Sequence, residues 1–249
     1  MKYFTFNKKK NKPVLSKCRN CGAETKGPYC HLCGQSLFAG KEGFSESFFN
    51  NALSLYAIDS KIFRTIKLLL FTPGKLTKEY CQGHIIRYEH PFKLFWFVAL
   101  LFFIYFSYKF DPNTTKLTGD VEFNRLFMSY LPYATILLIP LFSFLLFLCF
   151  RKYEPRYSNH TVFALHFHTF LYVFFAGVLF VSNLEIPIKW WLLFLIPYIY
   201  LMIAVYLFYK PKIIPSVIKI LFILTTHILT IYVLLFGLMI LISSGAKYF

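Results

Sequence analysis

The sequence predicts an all-α membrane protein in which five transmembrane helices follow a small N-terminal four-cysteine ribbon and amphipathic juxtamembrane helices. Three observations predict it. Of 249 residues, 57% are hydrophobic and only 15% charged, whereas a soluble domain carries about 25% charged residues. Five apolar stretches follow residue 90, each close to the roughly 20 residues that cross a bilayer. The first 93 residues hold 16 basic and 6 acidic side chains, so the basic part of the chain is the part without long apolar runs. The chain divides into a basic tail (1–16), a ribbon (17–37), an amphipathic juxtamembrane segment (38–90) and a five-span domain (91–249).

The start, "MKYFTFNKKKNKPVLSK", has the charges of a signal peptide but no apolar core after them, so it reads as an uncleaved basic tail on the reducing side of a membrane. Cys18, Cys21, Cys30 and Cys33 then form C-x2-C-x8-C-x2-C, in which two tight turns each offer two thiolates to one tetrahedral ion. Gly22 and Gly34 follow the two pairs, where the chain must fold back sharply. The spacing points to a structural zinc ribbon, with two disulfides or a redox pair as the competing readings. Four thiolates leave no open coordination position, so such a site staples a fold. His31 inside the second turn reads as solvent-facing. Lys17, Arg19, Lys26 and "KKKNK" at 8–12 would attract phosphates, but a basic cytosolic flank answers membrane topology rules better than it argues for nucleic acid.

Between ribbon and membrane, Phe44, Phe48, Phe49, Ala52, Leu53 and Tyr56 share one helical stripe. "DSKIFRTIKLLLFTPG" reads as a second helix, capped at Asp59 or Ser60 and stopped by Pro73-Gly74. Both are too short to span. Lys61, Arg64, Lys67, Lys75, Lys78 and Arg87 suit contact with anionic lipid headgroups from an interfacial helix; packing on the ends of the transmembrane helices is the alternative.

The five spans run approximately 92–108, 130–150, 161–181, 190–209 and 217–242. Arg151, Lys152 and Arg156 crowd the connection after the second, and Lys210, Lys212 and Lys219 mark the one after the fourth. The third-to-fourth connection and the C-terminal tail offer only Lys189 and Lys247. The first loop, "KFDPNTTKLTGDVEFNR", balances its charges. The positive-inside rule then puts the N-terminus in the cytosol and the C-terminus outside, the side that thiolate chemistry also favours. Tyr130, Tyr133, Trp190, Trp191 and Tyr209 suit interfacial belts.

Within these spans there is no Asp or Glu, which removes the usual carboxylate of proton-coupled transport. His160, His166, His168 and His227 form a possible intramembrane polar site for metal, haem or proton relay. Residues 166 and 168 are about 200° apart on a helix, so they cannot face one point. Hydrogen bonding to neighbouring helices is the simpler role for each imidazole. Pro140 and Pro197 predict kinks in the second and fourth spans.

"TPGKLTKEYCQGHIIRYEHPFKLFWF", "YLPYATILLIPLFSFLLFLCF" and "YSNHTVFALHFHTFLYVF" resemble an uncharacterised bacterial family of polytopic membrane proteins, catalogued as a domain of unknown function, whose members often begin with a zinc ribbon. Here Gly83 is followed by His84 and Ile85 where the family has Gly-Lys-Arg, and Asn159 precedes His160 where a Glu is common. The resemblance implies a bacterial inner-membrane location and imports no activity. The expectation is a non-catalytic membrane protein presenting a cytosolic zinc ribbon for docking, scaffolding or regulation, with a cytosolic protein as possible partner. The alternative is a transporter or membrane enzyme that uses the intramembrane histidines.

Overall fold

A computed structural model describes residues 16–25, 27–36, 61–110, 121–182, 189 and 191–245. The basic tail before Ser16, the 44–56 stripe and its proposed helix, and the caps Asp59 and Ser60 lie outside the described residues. The order of elements is β1 (Ser16–Lys17), β2 (Glu24–Thr25), α1 (Lys61–Phe71), α2 (Lys75–Cys81), α3 (Pro91–Lys109), α4 (Val121–Phe150), α5 (Tyr157–Ser182), α6 (Leu192–Tyr209) and α7 (Ile213–Gly245).

Four of the five predicted stretches form helices long and apolar enough to cross a membrane, over Pro91–Lys109, Ser129–Phe150, Tyr157–Ser182 and Ile213–Leu234; the remaining one, α6, is apolar but shorter over Leu195–Tyr209. Aliphatic and aromatic side chains such as Leu100, Ile104, Leu137, Phe144, Ile218 and Phe222 are exposed on the outer faces. An apolar surface of this extent needs hydrocarbon, not water, as its solvent. This is the build of a membrane protein.

Helix α5 is the centre of the bundle. It packs along α3 on one side and α4 on the other, and α4 packs in turn on α7. Phe163, Phe167, Phe170 and Tyr172 on α5 are buried, and their rings fill the joints: Phe170 stacks on Tyr200 of α6 with centroids 3.5 Å apart, and Phe167 stacks on Phe142 of α4 at 5.3 Å. Aromatic rings supply contact area at little conformational cost, which suits a bundle whose helices gain no hydrophobic driving force from lipid. Ser143 and Thr161, both buried, join α4 to α5 through hydroxyls 3.0 Å apart.

The structure resolves where the juxtamembrane segment goes. Ile62, Thr65 and Leu69 form the buried stripe of α1, while Phe63, Arg64, Lys67 and Phe71 face outward. Pro73 ends α1 as expected, but the chain then starts a second helix, α2, that periodicity alone did not reveal. Gly74 makes the reversal with φ +71°, and a Cβ there would lie 2.5 Å from the Ala204 carbonyl oxygen of α6. Beyond the turn, α2 lies against α5 and α6. Thr77 Oγ1 reaches His166 Nδ1 at 2.8 Å, and the Tyr200 hydroxyl donates to the Leu69 carbonyl at 2.6 Å. His166 is nine residues into α5 and Tyr200 nine residues before the end of α6, so both contacts sit about 13 Å inside the helix ends. The α1–α2 hairpin is therefore a wedge driven between α5 and α6, not a helix lying only along the surface.

Two further boundaries differ from expectation. Helix α4 begins at Val121, taking up residues read as loop, and α7 begins at Ile213, a turn early, because Pro215 is tolerated in a first helical turn. Helices α4 and α6 remain continuous helices through Pro140 and Pro197.

The wedge depends on Gly74. Gly74→Ala is expected to lower the thermal stability of the detergent-solubilised protein by about 1–3 kcal/mol, the usual cost of backbone strain and overpacking, measured as a fall in Tm. Gly177→Ala, where a Cβ meets nothing within 4 Å, is the control and should leave Tm within a degree or so.

Candidate functional site

The four predicted cysteines converge. Their sulfurs all lie within 4.8 Å of one another, with Cys18 and Cys33 at 3.6 Å and Cys21 and Cys30 at 3.5 Å. These separations exceed an S–S bond of about 2.05 Å. They match the edges of a tetrahedron of thiolates, about 3.8 Å for metal–sulfur bonds of 2.3 Å. Two equivalent turns build it. Cys18 N–H donates to Ala23 O and Gly22 N–H to Cys18 O; Cys30 N–H donates to Gln35 O and Gly34 N–H to Cys30 O, all at 2.8–2.9 Å. Gly22 and Gly34 take φ +79° and +72°, which L side chains rarely adopt. The hairpin β1–β2 pairs Ser16 with Thr25 and Lys17 with Glu24 and frames the first turn. His31 is exposed, as its position in the second turn implied. The donor set could hold one metal ion, and with four sulfurs it leaves no position for substrate.

The ribbon is seated on the membrane domain. Gln35 Nε2 donates to Gly83 O at 2.7 Å, and Arg87 Nη2 donates to Asn20 O at 3.2 Å. Gly83 has φ +104°, and a Cβ there would fall 2.8 Å from Arg19 Cδ, so the arginine stem lies flat across the glycine. The seat is the turn 82–90, which joins α2 to α3.

That turn carries a polar cluster that sequence reasoning missed. Glu89 and Lys93 form an ion pair at 3.3 Å with both side chains more than nine-tenths buried. Glu89 N–H donates to Thr65 Oγ1 of α1, whose hydroxyl donates to Lys61 O. His90 caps α3: its Nδ1 accepts from Phe92 N–H at 3.3 Å, and Pro91 takes the first helical position. The Tyr88 hydroxyl donates to the Glu79 carboxylate. Burial, then Glu79, pushes the Tyr88 phenol up to about 12, and burial holds His90 down at about 4. Tyr80 lies edge-on to both His90 and His166, with centroids 6.2 and 6.3 Å away. The available signal was the density of Glu79, Tyr88, Glu89, His90 and Lys93 just ahead of a span, where burying charge without a partner is costly.

The four intramembrane histidines do not meet at one point. His160, fully buried, holds Glu154 O with Nε2 at 2.8 Å and the Tyr209 hydroxyl with Nδ1 at 2.7 Å. A carbonyl only accepts, so Nε2 carries the proton and Nδ1 accepts from Tyr209. His160 is a staple between the start of α5 and the end of α6. His166 turns to Thr77 on the wedge, and its Nε2 has no hydrogen-bond partner among the described residues. His168 and His227 do come together, with their Nε2 atoms 3.4 Å apart across α5 and α7. His168 Nδ1–H donates to Ala164 O at 2.8 Å, so His168 Nε2 is the acceptor and His227 Nε2–H the donor. Phe142 packs edge-on to both rings at 5.1 Å.

Among the predicted headgroup contacts, Lys61, Arg64, Lys67 and Lys75 are exposed and Lys78 is half-buried. Lys75 is 4.0 Å from Glu79. Arg87 is exposed but spends its guanidinium on Asn20 of the ribbon.

Two outcomes follow for the polar contacts. Thr77→Val is expected to destabilise by about 1–3 kcal/mol, because it leaves His166 buried with neither nitrogen paired, read as a lower Tm. His90 binds its proton more weakly folded (about 4) than unfolded (about 6.5), so between those values the unfolded state binds more protons. Its contribution is complete above about pH 6.5 and is lost as pH falls toward about 4. His90→Asn, which retains a capping side chain, should flatten the decline of Tm over that window.

The profile of a family described as "Protein of unknown function (DUF3667)" matches residues 59–103, which include the wedge, the seat of the ribbon, the Glu89–Lys93 pair and most of α3. No curated protein and no solved structure matches the chain.

Proposed function

We propose that this chain is an integral membrane protein of the bacterial inner membrane with a regulatory, non-catalytic zinc ribbon that reports its own state to the membrane domain. The observation that carries the reading is the Gln35–Gly83 hydrogen bond of 2.7 Å, which ties the metal-dependent turns to the segment leading into α3. A closed four-thiolate site supports a structural zinc and gives no support to hydrolytic chemistry. Five spans remain the reading that reconciles α6 with its flanking lysines, with the ribbon cytosolic and the chain end outside. The exposed Lys61, Arg64 and Lys67, interleaved with exposed Phe63 and Phe71, support headgroup contact by the outer face of α1. Exposed Tyr29 and Leu32 on the second knuckle support docking of a cytosolic protein on the side of the ribbon away from the membrane domain.

A second reading, transport or membrane catalysis, is favoured by the His168–His227 pair alone. His168→Gln with His227→Gln should then abolish a bound metal or a growth phenotype. Unchanged metal content and phenotype remove this reading.

The regulatory reading is tested on the purified full-length protein. Cys30→Ser is expected to lose one zinc per chain by elemental analysis and to accelerate amide hydrogen exchange over residues 82–90 by about tenfold or more, equivalent to the loss of about 1.4 kcal/mol of local protection. Gln35→Ala should accelerate the same amides with zinc retained. Loss of zinc with unchanged exchange at 82–90 would leave the staple intact and defeat the regulatory coupling.

A further inference from the structure

The wedge has a counterpart at the far end of the bundle. Where α1 and α2 pack against α5 and α6 near the ribbon, no described element does so in the remote half, and a cavity of about 760 Å³ is left among α3, α4, α5, α6 and α7. This volume falls within the range of about 300–1,000 Å³ typical of ligand sites. Its walls include Phe102 of α3, Leu171 and Phe175 of α5, Pro197 of α6, and Leu224 and Ile228 of α7. His168 and Phe175 are 11 and 18 residues into α5, so the cavity occupies depths of about 16–27 Å from that helix start, well inside the hydrocarbon.

Most of the buried polar groups that line the cavity are engaged within the protein. The Tyr172 hydroxyl donates to Thr135, and Thr135 donates to Pro132 O. Thr225 donates to Leu221 O, and His168 and His227 pair through their Nε2 atoms, which leaves His227 Nδ1 as a buried acceptor with no hydrogen-bond partner among the described residues. No Asp, Glu, Lys or Arg is among the described residues that line the space. A site so poor in free hydrogen-bonding groups favours an occupant that is itself mostly apolar.

We propose that this cavity is a binding site for the acyl chain of a membrane phospholipid, entering from the bilayer beside the outer half of α6. The occupant follows from the predominantly apolar walls, whose described residues include no Asp, Glu, Lys or Arg, and from their depth. The proposal rests on the bundle lying in a membrane and is independent of any role for the ribbon.

The test uses full-length protein in vesicles of phosphatidylethanolamine and phosphatidylglycerol doped with a phospholipid bearing a diazirine near the end of its acyl chain. Photolysis and peptide mapping should concentrate label on residues 167–175 and 221–231. Leu171→Trp or Leu224→Trp, each of which fills the space of at least two methylenes, should reduce that label about tenfold, while label on the exposed Ile214–Ile218 face stays constant. If either variant fails to fold, the wild-type protein decides the matter by competition: unlabelled lipid should suppress cavity label before it suppresses label on the outer face. Label spread evenly over the outer faces, label undiminished in a folded Trp variant, or parallel competition at both positions would overturn the proposal. So would reaction of Leu224→Cys with a membrane-impermeant maleimide, which would show an aqueous path, or photo-crosslinked pairs of chains, which would show a second copy in the space.

Discussion

The close approach of Gly74 to the Ala204 carbonyl sets the position of everything on the ribbon side of the molecule. Because no side chain intervenes, the α1–α2 hairpin sinks until Thr77 reaches His166 and the Leu69 carbonyl reaches Tyr200. A helix hairpin at that depth has its end-groups away from water, and each contact satisfies a group that would otherwise be stranded. Gly74 lies at the turn where Pro73 stops one helix and the left-handed glycine starts the next, so one dipeptide both ends α1 and permits the insertion.

From the wedge outward the contacts run in series. Thr65 on α1 holds the backbone of Glu89, Glu89 holds Lys93, His90 caps α3, and the same turn receives Gln35 from one knuckle and gives Arg87 to Asn20 in the other. A buried ion pair adds little net stability but is costly to break on one side. Its consequence here is geometric: it fixes the entry angle of α3 and, through Gly83 and Arg87, the orientation of the ribbon. The four-cysteine ribbon and the first span therefore share one short turn.

Much of this was legible before any coordinates. Apolar runs made four long helices plain, since crossing hydrocarbon requires uninterrupted apolar sequence. Two Cys-x-x-Cys-Gly repeats placed four thiols together, because their turns are local and need only a glycine at positive φ. Tertiary placement was harder to read. "KLTKEYC", inside the amphipathic juxtamembrane segment, did not stand out as a helix of its own because its seven residues carry only two positions, Leu76 and Thr77, that a neighbour buries. The pairing of Glu89 with Lys93 was not legible, since a sequence does not say that the two will be shielded from water together. Helical phase separates residues 166 and 168, and this is why one imidazole reaches the wedge while the other reaches His227; which partner each would find depended on a hairpin whose depth no periodicity encodes.

The helices are also strongly unequal in length. Helix α3 has 19 residues and α6 has 18, whereas α4 has 30 and α7 has 33, or about 28, 27, 45 and 50 Å end to end. Hydrocarbon of about 30 Å matches the first two and falls well short of the last two. The extra length need not strain the bilayer: α4 opens with Val-Glu-Phe-Asn-Arg and its apolar stretch is Ser129–Phe150, so its first turns project beyond the hydrocarbon, and a long apolar helix such as α7 is accommodated by tilt.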